Sequence, residues 1–165
     1  MRVLIVDDHL VVRESLKQFL ERIQGVEVPV KTCSSGECPK IARESNHDIV
    51  LLGLTLSTID PIELLKQMRV DKPKLPVMVF SILDDDRYCG RLLRAGASGI
   101  LTNTSAATEL AEALARVYSG RKYISPSLAE IMTDVSSDED TSLLDILSDR
   151  EYEVMVSLAS GRRIK

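Results

Sequence analysis

The segment HDIVLLGLTLSTIDPIELL, residues 47–65, passes from a strand to a helix through a glycine. Residues 49–52 form a short apolar run with β-branched side chains, which is typical of a buried strand. Residues 60–70 follow with apolar positions at helical spacing, as in an amphipathic helix. In open α/β folds the functional groups lie at the carboxyl end of such a strand, where this sequence has Gly53. A residue without a side chain therefore stands where a functional group is expected.

The same alternation of strand and helix occurs five times before residue 121. It predicts an α/β fold of the flavodoxin-like, doubly wound type with a five-stranded parallel sheet, because right-handed crossovers leave few other arrangements. Pro29 places the second strand at an edge or a bulge of this sheet. Asp7 and Asp8 follow the first strand in place of a glycine-rich phosphate loop, which excludes a Rossmann or P-loop fold. The predicted strands are residues 2–6, 28–32, 48–53, 76–81 and 98–102, and the predicted helices are residues 10–23, 36–45, 60–70, 85–96 and 107–120.

The composition limits the classes of function. The 165 residues are 44% hydrophobic and 28% charged, and the net charge of −4 disfavours non-specific binding of nucleic acid. No apolar run has the length of a membrane span and the N-terminus has no secretory signal, so we expect a cytoplasmic protein without a membrane partner. No nucleophile has a base beside it in an activated motif, so an enzyme is the least favoured class.

The three cysteines, Cys33, Cys38 and Cys89, are an odd number without a repeating pattern. Their spacing is loose, and His9 and His47 do not supply a matching second pair, so a zinc site is not expected. We predict reduced thiols that pack as small hydrophobic side chains.

The composition changes after residue 121. Residues 124–135 predict a helix with Ser125 as its cap and Pro126 at its first position. Residues 136–142, SSDEDTS, are acidic and polar, as in a linker. A further helix then begins, with a capping-box spacing between Ser148 and Glu151. The predicted organisation is a first domain at residues 1–121, a linker helix and acidic linker at residues 122–142, and an all-α unit at residues 143–165.

Several motifs, taken in order, carry a family resemblance: LIVDDH, the strand that ends at Gly53, PVMVFS, AGASGILT and LSDREYEVMVSLASG. Together they resemble the response regulators of the NarL/FixJ type in bacterial two-component signalling. The resemblance implies a receiver domain followed by a LuxR-type helix-turn-helix domain, a role in transcription, and DNA as a partner of the full-length protein. The recognition helix of such a domain is expected beyond Lys165.

The resemblance also implies a set of site residues. In such receivers an aspartate at the end of the third strand accepts phosphate, with Mg²⁺ held partly by the acidic pair after the first strand. A hydroxyl after the fourth strand and a lysine after the fifth strand contact the phosphoryl group. The matching positions here are Asp7 and Asp8 for the acidic pair, Ser81 for the hydroxyl, Gly53 for the acceptor and Asn103 for the lysine. Because glycine has no carboxylate to form an acyl phosphate, the resemblance implies a degenerate receiver without a catalytic residue.

The neighbours of Gly53 also depart from the resembled pattern. Leu56 and Ser57 replace the usual Met-Pro pair, and Pro61 replaces the glycine of a later Asp-Gly pair. These joint changes favour a natural loss of phosphorylation over a single engineered replacement at Gly53.

The polar residues near the predicted site have different expected roles. Asp7 and Asp8 either bind Mg²⁺ weakly or, as we favour, cap the following helix. Asp48 and Asp60 are poor substitutes for the acceptor, because one precedes the strand and the other follows the loop. Ser81 is expected to form local hydrogen bonds, as it has no phosphoryl group to contact.

A receiver that is not phosphorylated needs another input. The alternatives are contact with a signalling protein, a small ligand at the degenerate pocket, or constitutive dimerisation. We expect a homodimer, since the predicted fifth helix buries Leu110, Leu114 and Val117 and presents a mixed polar face elsewhere. The rival function is a stand-alone module that sequesters partner proteins.

Overall fold

The structure is a computed structural model that describes residues 1–23, 26, 31–44, 46–81, 86–102 and 107–126. The chain divides into two units, Met1–Glu130 and Ile131–Lys165, and all described residues lie in the first. Within the described residues, the strands and helices alternate in the order β1 Val3–Val6, α1 Leu10–Leu20, β2 Lys31–Cys33, α2 Cys38–Glu44, β3 Ile49–Gly53, α3 Pro61–Asp71, β4 Val77–Ser81, α4 Asp86–Arg94, β5 Gly99–Thr102, α5 Ala107–Tyr118 and β6 Tyr123–Ile124.

The strands form one parallel sheet in the order β2-β1-β3-β4-β5-β6. The predicted doubly wound fold with five parallel strands is confirmed, and β2 lies at an edge of the sheet as expected. The sixth strand was not predicted. It has two residues, and Tyr123 pairs with Gly99 at the far edge of the sheet. A strand of this length is too short for an alternating pattern in the sequence.

One cluster of the core lies between the sheet and the helices α1 and α5. Residues of β1 and β3 are fully buried, as expected for parallel strands that have helices on both faces. The predicted inward face of α5 is confirmed, because Leu110, Leu114 and Val117 all belong to this core. In the sheet register Val6 pairs with Leu52. The residues that follow β1 therefore meet the end of β3 at one edge of the sheet.

The ends of several helices follow the local sequence. Asp60 caps α3, since its carboxylate accepts a hydrogen bond of 3.0 Å from the backbone N–H of Glu63. Gly96 and Gly120 end α4 and α5 with positive φ angles of 106° and 83°, which glycine adopts without steric cost. The predicted helix ends at Gly96 and Gly120 are confirmed, whereas the cap at Asp60 was not predicted.

The predicted linker helix is described only at its start. Pro126 is helical and follows the buried Ser125, at the position predicted for the first turn. Residues 127–165, with the acidic linker and the predicted helix-turn-helix segment, lie outside the described residues. Within the described part of the chain, no helix is long and apolar enough to cross a membrane.

Candidate functional site

The carboxyl edge of the sheet brings three of the predicted site positions together. Asp7 and Asp8 directly follow β1, and Gly53 is the last residue of the neighbouring strand β3. Ser81 ends β4, one residue beyond the Phe80 that pairs with Gly53. The side chain of Ser81 is outside the described structure, so its expected local hydrogen bonds stay a prediction. Asn103 follows β5 and is not among the described residues.

The carboxylate of Asp7 lies against the backbone of Gly53. Asp7 is only 5% exposed, although it is charged. A Cβ atom added at Gly53 would lie 2.0 Å from Oδ2 and 2.9 Å from Cγ of Asp7. Both distances are far below van der Waals contact. Asp7 therefore occupies the space that a side chain at position 53 would enter.

The hydrogen bonds of Asp7 hold it in this orientation. Its Oδ1 accepts a bond of 2.7 Å from the backbone N–H of His9 and lies 3.1 Å from Nδ1 of the same histidine. Nη1 of Arg13 donates to the backbone oxygen of Asp7 at 2.6 Å. Both contacts of the carboxylate are at Oδ1, so no residue that the structure describes donates to Oδ2.

Asp8 connects the loops after three strands. Ser35 donates its backbone N–H at 2.7 Å and its hydroxyl at 2.8 Å, and Ser57 donates the same two groups at 2.6 Å each. Burial raises the pKa of Asp8, but the hydrogen bonds from Ser57 and Ser35 outweigh it and hold the pKa well below its usual value. The expectation that Asp8 caps the following helix is therefore wrong, because its partners are these loops and not the first turn of α1.

Ser35 and Ser57 are site residues that the sequence alone did not identify. A signal for Ser57 was available, since it stands where the resembled family has proline. Proline has neither a backbone N–H nor a hydroxyl, so it would offer Asp8 no donor. Ser35 has no comparable signal, and its hydroxyl also contacts the hydroxyl of Thr58.

The arrangement of the site leaves few oxygen ligands for a magnesium ion. Mg²⁺ requires near-octahedral oxygen ligands and is usually held through one or two carboxylates and waters. Both oxygens of Asp8 already accept hydrogen bonds from serine, and Asp7 turns Oδ2 toward Gly53. Among the described residues, no group of three or more acidic, histidine or cysteine side chains is placed to hold a metal. Weak Mg²⁺ binding stays a prediction.

The other two aspartates near β3 have structural partners. Asp48 binds Arg2 at the opposite end of the strand, through the backbone N–H at 2.7 Å and the guanidinium at 3.0 Å. These bonds from Arg2 lower the pKa of Asp48. Asp60 is the cap of α3 and also accepts a 3.3 Å bond from the hydroxyl of Tyr88. Both are engaged away from the space beside Gly53.

The cysteines are buried free thiols, as predicted. Cys33 ends β2 and Cys38 begins α2, where its sulfur lies 4.0 Å from that of Met68. A hydrogen bond between the two thiols is the main cause that lowers the pKa of Cys33 and raises that of Cys38.

Comparisons with known proteins agree with the fold. Residues 3–115 match the family model described as "Response regulator receiver domain". The whole chain aligns with 78% of the response regulator GacA of Pseudomonas aeruginosa, and the two are 29% identical over this alignment. A LuxR-family response regulator from Aurantimonas sp. is 30% identical, with a TM-score of 0.78 over 83% of this chain and 98% of that one. RcsB of Salmonella enterica serovar Typhimurium, solved bound to promoter P1flhDC, is 26% identical, with a TM-score of 0.77 over 98% of this chain and 78% of RcsB.

Proposed function

Because the chain belongs to the response regulator receiver family, we propose that it is a receiver whose output does not depend on phosphorylation of an aspartate. The observation that carries this proposal is the packing of Asp7 on Gly53. Position 53 supplies no carboxylate for an acyl phosphate, and the neighbouring acid fills the space in which one would stand. Ser57 supports it further, since it engages Asp8 in hydrogen bonds that a metal ion would have to displace.

The proposed output is regulation of transcription. The matched RcsB structures include dimers bound to DNA, and GacA is a response regulator whose similarity covers all 165 residues of this chain. We assign residues 1–121 to the receiver, residues 122–142 to a linker and residues 143–165 to the beginning of a LuxR-type DNA-binding domain. In this scheme the receiver forms homodimers, performs no catalysis of its own, and responds to a protein partner or to a small ligand.

The first prediction concerns phosphodonors. Incubation of the chain with acetyl phosphate and Mg²⁺ should produce no hydroxylamine-sensitive mass gain, measured on the intact protein. A receiver that keeps its acceptor aspartate serves as the positive control for the donor. A phosphoryl gain that hydroxylamine removes would refute the proposed function.

Gly53→Asp is the harder version of this test. The new side chain must displace the carboxylate of Asp7, and Asn103 still stands in place of the lysine. We therefore expect slow phosphorylation at most. Rapid and complete modification of this variant would mean that the pocket has kept its phosphorylation chemistry and lacks only the acceptor.

A further inference from the structure

A cavity of about 410 Å³ lies beside Asp7, between the first turns of α1 and the loop after β3. Its wall is mainly apolar and is formed by Val11, Val12, Leu16, Leu54 and Phe80. The polar residues His9, Ser15 and Thr55 also line it. The size is within the range of roughly 300 to 1,000 Å³ that small-molecule sites occupy in proteins.

Asp7 is the acidic residue of this cavity. Asp7 is more than nine-tenths buried and lines the cavity, yet the donors that the structure describes all approach its Oδ1. A buried carboxylate normally has its oxygens paired, because leaving the charge without a partner costs several kcal/mol. The carboxylate of Asp7 is therefore an acceptor that a donor group on a ligand in the cavity would engage.

Gly53 keeps this acceptor in its position. Any side chain at position 53 would displace the carboxylate of Asp7 from the place it occupies on the strand. The glycine that removes the phosphoacceptor thus also makes room for the acid that faces the cavity.

The charge and shape of the cavity select the class of ligand. A metal ion would need further oxygen ligands, but Asp8 is occupied by Ser35 and Ser57. An anion is disfavoured by Asp7 itself. An organic ammonium group offers three donors and a positive charge in a small volume, and an apolar body would cover the surface of Val11, Leu16 and Phe80.

We propose that the cavity beside Asp7 binds a small organic ammonium compound, with the ammonium group at the carboxylate of Asp7 and an apolar body along α1. This inference rests on the proposed function, since it supplies an input for a receiver that is not phosphorylated. The side chain of Val11 is 77% exposed, so the apolar wall continues to the surface and gives the ligand a path of entry.

The test uses two probes that differ in one group. 2-Phenylethylamine carries the ammonium group, and 2-phenylethanol has the same carbon skeleton without the charge. Each is titrated into ¹⁵N-labelled protein, and the amide shifts of Val11, Leu54 and Thr55 are followed. We expect the amine to bind at least about tenfold more tightly than the alcohol, as a charge-assisted hydrogen bond to a buried carboxylate should give.

Three variants locate the interaction. Asp7→Asn keeps the shape and removes the charge, so it should bring the amine down to the affinity of the alcohol. Gly53→Ala should weaken amine binding, because its Cβ displaces Asp7. Asp71→Asn changes an aspartate at the end of α3, where it pairs with Arg43, and should leave both affinities unchanged. The amide spectra of the variants show that each remains folded.

The outcomes separate this proposal from the proposed function. Equal binding of the two probes, or an amine affinity that survives in Asp7→Asn, overturns the ligand proposal. So does the absence of shifts at the three cavity residues in the wild-type protein. The phosphodonor test is run without amine, so a phosphoryl gain refutes the proposed function whatever the titrations show.

Discussion

At the scale of single residues, two departures from the resembled pattern change the two acids of the pocket in different ways. Gly53 has no side chain, so the carboxylate of Asp7 packs on its backbone. Ser57 adds an N–H and a hydroxyl, and both donate to Asp8. No described residue donates to Oδ2 of Asp7, whereas both oxygens of Asp8 accept hydrogen bonds from serine. The two acids that follow β1 are therefore held by different groups of the protein.

A double-mutant cycle tests the packing of Asp7 on Gly53. Gly53→Ala should lower the free energy of unfolding by about 1–3 kcal/mol, because the added methyl group overlaps the carboxylate. In an Asp7→Ala background the same change should cost clearly less, which chemical denaturation of the four proteins would measure. Equal costs in both backgrounds would contradict the packing. Gly90→Ala is the control, since the nearest atom to its Cβ would be 3.8 Å away and alanine is favoured in a helix.

The pH dependence of stability tests the hydrogen bonds of Asp8. The pKa of Asp8 is depressed in the folded protein, whereas in the unfolded chain it is about 3.9. The folded state therefore binds fewer protons than the unfolded state as the pH falls. The resulting stability is present above that pH and is lost as the pH falls through the unfolded and then the folded pKa. Asp8→Asn should therefore be less stable at pH 7, and its unfolding midpoint in urea should fall less steeply between about pH 5 and pH 2.

Ser57→Pro tests the same hydrogen bonds of Asp8 from the side of the donor. It removes both donors of this residue, so the pKa of Asp8 should rise and be measurable by NMR titration. Asp71→Asn is again a suitable control, because its ion pair with Arg43 is largely exposed and such pairs contribute little to stability. A pKa of Asp8 that is unchanged in Ser57→Pro would show that Ser35 alone depresses it.

At the scale of elements, the sequence predicted every strand and helix that has a full period of apolar residues. The five predicted strands and five predicted helices are present, with ends that differ by a few residues. The exception is β6, which depends on contacts distant in sequence. Tyr123 pairs with Gly99 and donates its hydroxyl to Glu109 of α5 at 2.8 Å. A two-residue strand held by such contacts leaves no local pattern to detect.

The candidate site was predictable to a smaller extent. The resemblance named Asp7, Asp8 and Gly53, and the structure places them together. Which way each carboxylate turns could not be inferred, because it depends on the missing Cβ of Gly53 and on donors from two other loops. Side-chain orientation of this kind is decided by tertiary contacts, which a single sequence does not contain.

A polar side chain joins α3 to the turn before β5. Arg69 of α3 donates to the carbonyl oxygens of Gly96 at 2.8 Å and Pro73 at 2.9 Å, and to the hydroxyl of Ser98 at 2.9 Å. Burial lowers the pKa of its guanidinium. The guanidinium therefore holds the end of α3 to the turn before β5.

Replacement of Arg69 should be costly. Arg69→Leu leaves these acceptors without a donor and should lower the free energy of unfolding by about 2–3 kcal/mol in chemical denaturation. Arg69→Lys should recover only part of the loss, since one ammonium group cannot reproduce the planar set of donors. Gln67→Ala on an exposed face of the same helix should change stability by less than about 0.5 kcal/mol. A loss of similar size in Gln67→Ala would assign the effect to the helix and not to the guanidinium.

At the scale of the whole molecule, a receiver that lacks a phosphorylation switch needs its output balance set by the fold itself or by a bound partner. The outer face of α5 is a candidate for constitutive pairing of two copies. Arg116 and Glu112 form an ion pair of 2.8 Å there, and Tyr118 at the end of the helix is 56% exposed. An aromatic residue beside charged neighbours is typical of the centre and rim of a modest interface.

The last prediction is that the receiver part dimerises in solution without phosphodonor or Mg²⁺. Sedimentation velocity over a range of micromolar concentrations should show a monomer–dimer equilibrium. Tyr118→Ser should shift it toward monomer, because it removes the exposed aromatic group from α5. Val70→Ser is the matched control, since Val70 is 82% exposed on α3 and lies outside the proposed contact. A monomer at every concentration would exclude constitutive pairing and would leave a ligand or protein partner to supply the signal. Dimerisation that Tyr118→Ser leaves intact would place the contact on another face of the receiver.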